Sequence, residues 1–220
     1  MPKMQQPEHF FPSYTRLEHF ADACVHIAGV AFSVAATVFL LVAALRTLPA
    51  ADIAGLIVYC IGLIGMFGAS AAYNLASHGN LKEVLRRLDH SAIFVMIAGS
   101  YTPFAIVVGG NAGGFMLAAV WAIAVIGVSV KLRFPRRFDR LIVLLYLAQG
   151  WLVLFAIGPV TEMLPSQALW LLVIGGVIYT AGVPFHLMER LRFHNAIWHL
   201  FVLGGAACQF VAIKGAVIQA

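Results

Sequence analysis

The chain has 220 residues, 62% of them hydrophobic and only 10% charged, with a mean hydropathy of +0.93. That balance excludes a soluble globular protein, which needs far more polar side chains to face water. The formal net charge is +5, but the basic residues sit in short breaks between apolar runs. There, Lys and Arg report membrane topology rather than nucleic acid binding, so no nucleic acid partner is expected.

In chain order, the first twenty residues, MPKMQQPEHFFPSYTRLEHF, have no continuous apolar core ending in a small-residue cleavage site. Residues 1–20 are therefore read as a cytoplasmic N-terminal segment, not a signal peptide. A spanning helix needs about 20 mostly apolar residues, and seven runs qualify: 21–45, 51–76, 89–109, 114–132, 141–158, 166–186 and 195–217. The breaks between them carry turn residues and charge: RTLPAAD, SHGNLKEVLRRL, GGNAGG, KLRFPRRFDR, GPVTEMLPSQ and HLMERLRFH. None is long enough for a second domain, so residues 1–220 are expected to form a single seven-helix membrane domain. The runs are long and continuously apolar rather than short and alternating, which makes the fold an all-α integral membrane protein and not a barrel. Cys24, Cys60 and Cys208 lie in apolar runs with no close-spaced pair, so no disulfide framework is expected.

Seven spans place Lys3, Arg16, Lys82, Arg86, Arg87, Lys131, Arg133, Arg136, Arg137, Arg140, Arg190 and Arg192 on one side, leaving only Arg46 and Lys214 on the other. The positive-inside rule makes the first side cytoplasmic. The N-terminus is then cytoplasmic and the C-terminus outside, in a cell (inner or plasma) membrane crossed several times. Topology accounts for the basic loop KLRFPRRFDR; anionic lipid headgroups are the sharper alternative.

The polar residues inside the runs gather toward that same side. Glu18, Asp22 and His26 are spaced by four at the start of the first span. Ser70, Asn74 and His78 are spaced by four at the end of the second. Asp89 and His90 open the third, His186 closes the sixth, and His194, Asn195 and His199 open the seventh. A spacing of four keeps side chains within about 40° around a helix, so four helix ends offer polar faces at similar depth. Ionisable groups within spans usually face the bundle interior and mark function. Each also has a structural reading. Asp89 could be a helix cap, and Ser70 could bond a carbonyl of its own helix. His9, His19, His78, His90 and His186 could be headgroup or interfacial residues. A lone buried imidazole at His199 needs a partner. Gly65 and Gly68 in GMFGASAA, and Gly204 and Gly205, are expected to be close-packing faces between helices.

Four segments together resemble the hemolysin III family, the bacterial branch of the progestin and adipoQ receptors, to which the adiponectin receptors belong. They are Glu-x3-Asp-x3-His at 18–26, Ser-x2-Tyr at 70–73, RRLDHSAIFVMIAGSYTPF at 86–104 and NAIWHLFVL at 195–203. The resemblance covers nearly the whole chain. It implies seven helices with a cytoplasmic N-terminus and a zinc site. One ligand would be the His of a Ser-x3-His on the second helix, and two more a His-x3-His opening the seventh. An Asp opening the third helix would hold a metal-bound water, with the nearby Ser completing the site. It also implies hydrolysis of ceramide-like lipid amides, as associated with animal relatives. Three neutral imidazoles leave zinc one open position and make its bound water acidic.

This chain departs from that pattern. Asn74 and Asn195 stand at two of the three ligand positions, and only Ser70, Asp89 and His199 match. An amide oxygen is a weaker zinc donor than imidazole. His194 points about 140° away from His199 around a helix, and His78 lies one turn nearer the loop. Asp22 stands where the family commonly has Asn. Two outcomes are open: a metal-free hydrogen-bond network, or a cation harder than zinc held by carboxylate and amide oxygens.

Three functions follow. The first is a metal-dependent intramembrane hydrolase of a lipid amide or acyl bond. Ser70, Asp89 and His199 would be catalytic, His199 would be the one remaining metal ligand, and Glu18, Asp22, His26, Asn74 and Asn195 would line the cavity. The second is a non-catalytic membrane sensor or receptor that has lost the zinc site. The third is a pore, which the polar residues disfavour because they cluster at one end instead of running the full depth. Membrane lipids are the expected partners throughout.

Overall fold

The computed structural model describes residues 14–77, 79–134 and 136–218. His9 and His78, like Lys3, lie outside the described residues. Among those described, the structure is all helical, with α1 (Arg16–Ala44), α2 (Ala50–Leu75), α3 (Asn80–Val108), α4 (Gly110–Arg133), α5 (Asp139–Gly150), α6 (Ile157–Met163), α7 (Ser166–Leu187) and α8 (His194–Ile213). A 3-10 segment, Leu152–Ala156, joins α5 to α6, and a π-helical turn, Lys214–Ile218, ends α8. Taken as α1, α2, α3, α4, α5 to α6, α7 and α8 with its last turn, seven helical stretches are long and apolar enough to cross a membrane. Each run expected from hydropathy is one of them.

The outward face of the bundle is apolar, as lipid requires. On α1 the buried positions are Asp22, His26, Gly29, Ser33, Ala36, Leu40 and Ala44. The face they leave outside carries Phe20, Ile27, Val34, Val38 and Val42. Small and polar residues point inward and large apolar ones point outward, the reverse of a soluble helix.

Several boundaries differ from the sequence expectation, each for a local reason. α1 begins at Arg16 because Thr15 and Glu18 form a capping box. Glu18 accepts from the Thr15 N–H at 2.9 Å and from its hydroxyl at 2.7 Å. α3 begins at Asn80, nine residues before the apolar run, so most of SHGNLKEVLRRL is helix rather than break. Its charged first turns are held by ion pairs: Arg86 to Asp139 at 3.1 Å, and Glu83 to Arg136. Asp89 therefore lies well inside α3 and is not an N-cap. GGNAGG shrinks to a single linking residue, Gly109, with φ of 62°. That left-handed conformation is costly for any residue with a Cβ.

The fifth span is broken, where hydropathy suggested one continuous helix. α5 ends at Gly150, leaving main-chain groups without helical partners. Tyr101 of α3 supplies them: its hydroxyl donates to the Gly150 carbonyl at 2.6 Å and accepts from the Val153 N–H at 2.9 Å. Irregular backbone at membrane depth survives only when its polar groups are satisfied in this way. Immediately before Gly150 in the chain, the fully buried Gln149 donates to the Phe94 and Val120 carbonyls.

α3 packs extensively against both α2 and α4, α7 against α8, and α1 against α2, with α8 also meeting α1. α5 touches α3 and α4 but meets α7 only sparsely. The α2–α3 contact is backbone to backbone. A Cβ on Gly62 would meet Met96 Cα at 3.3 Å, and one on Gly99 would meet the Val58 carbonyl oxygen at 3.3 Å. Gly65 and Gly68, expected to pack closely, have no neighbour within 4 Å of a would-be Cβ. They fall off the buried face formed by Leu56, Tyr59, Leu63, Met66 and Ser70. Gly205 does pack closely, against the Tyr179 ring of α7.

Candidate functional site

The polar residues of α1, α2, α3 and α8 meet at the end of the bundle where α1 begins. Asp22, His26, Ser70 and Asp89 are all buried, and His199, Asn74 and Asn195 are half-buried beside them. Ser70 is at the centre. It does not turn back to its own helix. Its Oγ lies 3.3 Å from His26 Nε2 and 3.1 Å from His199 Nε2, and Asp89 borders the same end of the bundle's cavity. The two imidazole rings are 4.3 Å apart, centre to centre.

Asn195 organises the other half of the cluster. Its Nδ2 donates to Asp22 Oδ1 at 2.8 Å and to Asn74 Oδ1 at 3.0 Å. Asn74 in turn donates to the Ser70 carbonyl at 2.9 Å. Two acceptors facing Asn195 fix the amide with its nitrogen inward. Asp22 Oδ1 also lies 3.5 Å from His26 Nδ1 and 3.7 Å from His199 Nδ1.

This arrangement does not fit the zinc pattern implied by the resemblance. At residues 74 and 195, where imidazole nitrogens would stand, two amides are engaged with each other and with Asp22. Asn195 presents hydrogens, not lone pairs, to its neighbours. One donor atom from each of Asp22, His26 and His199 does lie within 4.8 Å of the others, a candidate metal-binding group on α1 and α8.

Glu18 is tied into the structure rather than free. Besides the capping box, its Oε1 accepts the Phe193 N–H at 3.1 Å. Phe193 precedes α8 and has φ of 61°, a left-handed conformation that a non-glycine residue adopts at a cost of about 1–2 kcal/mol. Glu18 thus pins the start of α1 to the start of α8 and sets the depth of Asp22 against Asn195. Tyr14 caps the same corner, paired with His194 Nε2 at 3.2 Å. Burial, reinforced by the Asp22 charge, pushes its phenol well above the ordinary value, so it stays protonated and donates.

A cavity of about 1670 Å³ opens from this cluster between α3, α5, α6, α7 and α8. Ser70, Asn74, Asp89, Asn195 and His199 border its polar end, with His90 and His186 among its lining; Asp22 and His26 lie behind, on the α1 side. Glu18 and Asp22 border only a small separate void. Further in, the walls are apolar, including Ile97, Phe104, Leu154, Val160, Leu169 and Val173, and reach the α6–α7 turn at Leu164 and Ser166. From Asp89 to Phe104 the helical rise is about 22 Å. The polar end also carries Lys131, which closes the 114–132 run and begins the basic break KLRFPRRFDR; it is buried and pairs with Asp139 at 2.5 Å. Its position at the last turn of an apolar run gave no local signal of burial.

A bundle of seven apolar helices with a polar cluster at one end defines a multi-pass membrane protein with an internal site. Residues 14–210 match the family described as Haemolysin-III related, and the chain belongs to that family. It is 36% identical over 201 residues to the hemolysin-3 homolog of Bacillus subtilis (strain 168), covering 91% of this chain and 94% of that protein. It is 36% identical over 197 residues to hemolysin-3 of Bacillus cereus, covering 89% and 90%. Similarity extends to the human monocyte to macrophage differentiation factor, 29% identical over 165 residues, covering 71% and 67%, in line with the kinship to the progestin and adipoQ receptors.

Proposed function

We propose that the protein takes a membrane lipid into the cavity and hydrolyses its amide or acyl bond at the polar end. One observation carries this reading: a single cavity joins an apolar bore, deep enough for a long acyl chain, to the cluster of Ser70, Asp89 and His199. Its volume exceeds the roughly 300–1,000 Å³ of ordinary small-molecule pockets. The sparse α5–α7 seam offers the chain a way in from the bilayer. In keeping with the charge bias, the polar end faces the cytoplasm, which supplies the water.

Asp89 holds and deprotonates the attacking water, whose oxygen bonds to the acyl carbon. Ser70 orients that water or donates to the carbonyl oxygen. His199 passes the proton to the leaving nitrogen or oxygen as its bond to the acyl carbon breaks, giving a fatty acid and an amine or alcohol. Positioned acid–base groups of this kind contribute about 10²–10⁴-fold each. No step is assigned to zinc at the family positions, because Asn74 and Asn195 do not suit it.

The test is release of fatty acid from a long-chain ceramide and a matched ester by detergent-purified protein. Turnover that falls at least 100-fold in Asp89→Asn and His199→Ala, with melting unchanged, supports hydrolysis. Saturable lipid binding without turnover would instead support the second reading, a lipid-responsive sensor. That reading draws on the two amides where metal-binding imidazoles are expected. A pore is disfavoured because the ionisable residues of the cavity cluster toward one end.

A further inference from the structure

We propose that the lipid admitted to the cavity is an anionic glycerophospholipid, its phosphate held by Arg140 and Arg190. The proposal rests on the reading that the cavity takes a lipid, and not on hydrolysis. It starts from charge. Six of the chain's 14 Lys and Arg line this cavity: Lys82, Arg86, Lys131, Arg136, Arg140 and Arg190. Among the described residues, the carboxylates that line it with them are Asp89, Asp139 and Glu189. The six cations belong to the end where α3 and α5 begin and α4 and α7 finish. A cleft lined by an excess of one sign concentrates the opposite charge.

The counter-charges inside this end are thinly spread. Lys131, 1% exposed, bonds Asp139, a carboxylate that is 48% exposed and that Arg86 also engages. Arg140 and Arg190 are exposed, line the cavity and form no ion pair among the described residues. Arg140 stands in the first turn of α5, and Arg190 follows shortly after α7 ends at Leu187. They therefore flank one end of the sparsely packed α5–α7 seam. A lipid that passes its chain through that seam brings its headgroup between them. A guanidinium meets phosphate through two parallel N–H groups, and anionic lipids enrich the cytoplasmic leaflet, the side that the charge bias gives to this end.

The spacing along α3 agrees. Arg86 lies about 4.5 Å nearer the opening than Asp89, and Lys82 about 10 Å, by helical rise. In a glycerophospholipid the phosphate is a few bonds from the acyl carbonyl. With that carbonyl beside Ser70 and Asp89, the phosphate reaches the cations. A ceramide offers them only neutral hydroxyls. Topology requires basic residues on this side, but it does not require them to line a cavity. Arg133 and Arg137, from the same break as Arg136 and Arg140, do not line it, and they supply the control.

The experiment titrates the full-length, detergent-purified protein with phosphatidylglycerol, with phosphatidylcholine of the same chains, with diacylglycerol and with inorganic phosphate. Native mass spectrometry reads bound lipid, and melting in detergent reports folding. Phosphatidylglycerol should bind about tenfold more tightly than phosphatidylcholine or diacylglycerol, a preference that shrinks as salt is raised. A cation near a lipid phosphate is worth about fivefold. Arg140→Gln combined with Arg190→Gln should therefore weaken phosphatidylglycerol by about tenfold or more, and phosphatidylcholine by about twofold at most. Arg133→Gln combined with Arg137→Gln, the same loss of charge outside the cavity, should bind as the parent does. Should the first pair fail to fold, Arg190→Gln alone decides, at about fivefold. Equal affinity for phosphatidylglycerol and phosphatidylcholine overturns the proposal. So does an equal loss in the control pair, which would mean attraction to the basic surface at large. Inorganic phosphate binding as tightly as phosphatidylglycerol overturns it too, by making this a site for the free ion. Phosphatidylglycerol bound but never cleaved leaves the inference standing and removes hydrolysis alone. Ceramide cleaved by a protein that binds the phospholipids alike does the reverse.

Discussion

The α2–α3 seam and the α5–α7 seam are both made of apolar helices, yet one is closed and the other open. At the first, Gly62 and Gly99 bring two backbones into contact along the helices that carry Ser70 and Asp89. At the second, the helix of α5 stops at Gly150, few residues of α7 meet it, and the cavity occupies the space between. One link across the open seam is polar: Trp151 Nε1 donates to Thr180 Oγ1 at 3.1 Å. The contrast teaches a division of labour. A chemical cluster needs donors fixed to fractions of an ångström, which close packing supplies. A lipid site needs a wall that can part, which sparse packing supplies.

The contrast can be broken most severely at Gly99. Gly99→Leu should wedge the closed seam, with overpacking of about 1–3 kcal/mol or more, read as a lower unfolding midpoint in detergent. Lipid turnover should fall with it, since Ser70 and Asp89 separate. Next comes Tyr101→Phe, which removes a donor from the Gly150 carbonyl and an acceptor from the Val153 N–H. Leaving buried main-chain groups unsatisfied should cost about 1–3 kcal/mol. Faster amide exchange in residues 150–156 should accompany it. Thr180→Val, on the open side, removes the Trp151 bond and should cost only about 0.5–1.5 kcal/mol, while speeding uptake of a fluorescent lipid. If it slowed uptake, the open seam would not be the entrance. Gly65→Ala should have the smallest effect, within about 0.5 kcal/mol or slightly stabilising, because no neighbour lies near its Cβ and alanine is the better helix former. A large loss there would mean that Gly65 meets a second chain.

How much of this was legible varies with how local each signal is. The seven runs stand out because spanning a bilayer demands about 20 apolar residues in sequence. The spacing of four in Asp22–His26, Ser70–Asn74 and Asn195–His199 likewise places each pair on one helix face without knowledge of any partner. The early start of α1 was also written locally, in the Thr15–Glu18 capping box, which hydropathy alone passes over. The early start of α3 was less visible, since Glu83 and Arg86 are polar and find their partners Arg136 and Asp139 some 53 residues on. The same distance hides the break at Gly150: its stabilising group, Tyr101, belongs to another helix. The choice of Gly62 over Gly65 as the packing glycine depends on which face of α2 meets α3.

By itself, the sequence determined that this is a seven-span membrane protein with polar residues concentrated toward one end, because hydrophobic length and helical period are properties of a single segment. Only the tertiary structure decided that His26 and His199 aim at the same serine hydroxyl. It also decided that Asn195 holds Asp22 instead of standing among the ligands, and that a cavity opens beside the cluster. Those outcomes depend on how deep and at what rotation separate helices meet. That depth and rotation are set by contacts between residues far apart in the chain, such as Glu18 with Phe193 and Gly62 with Met96.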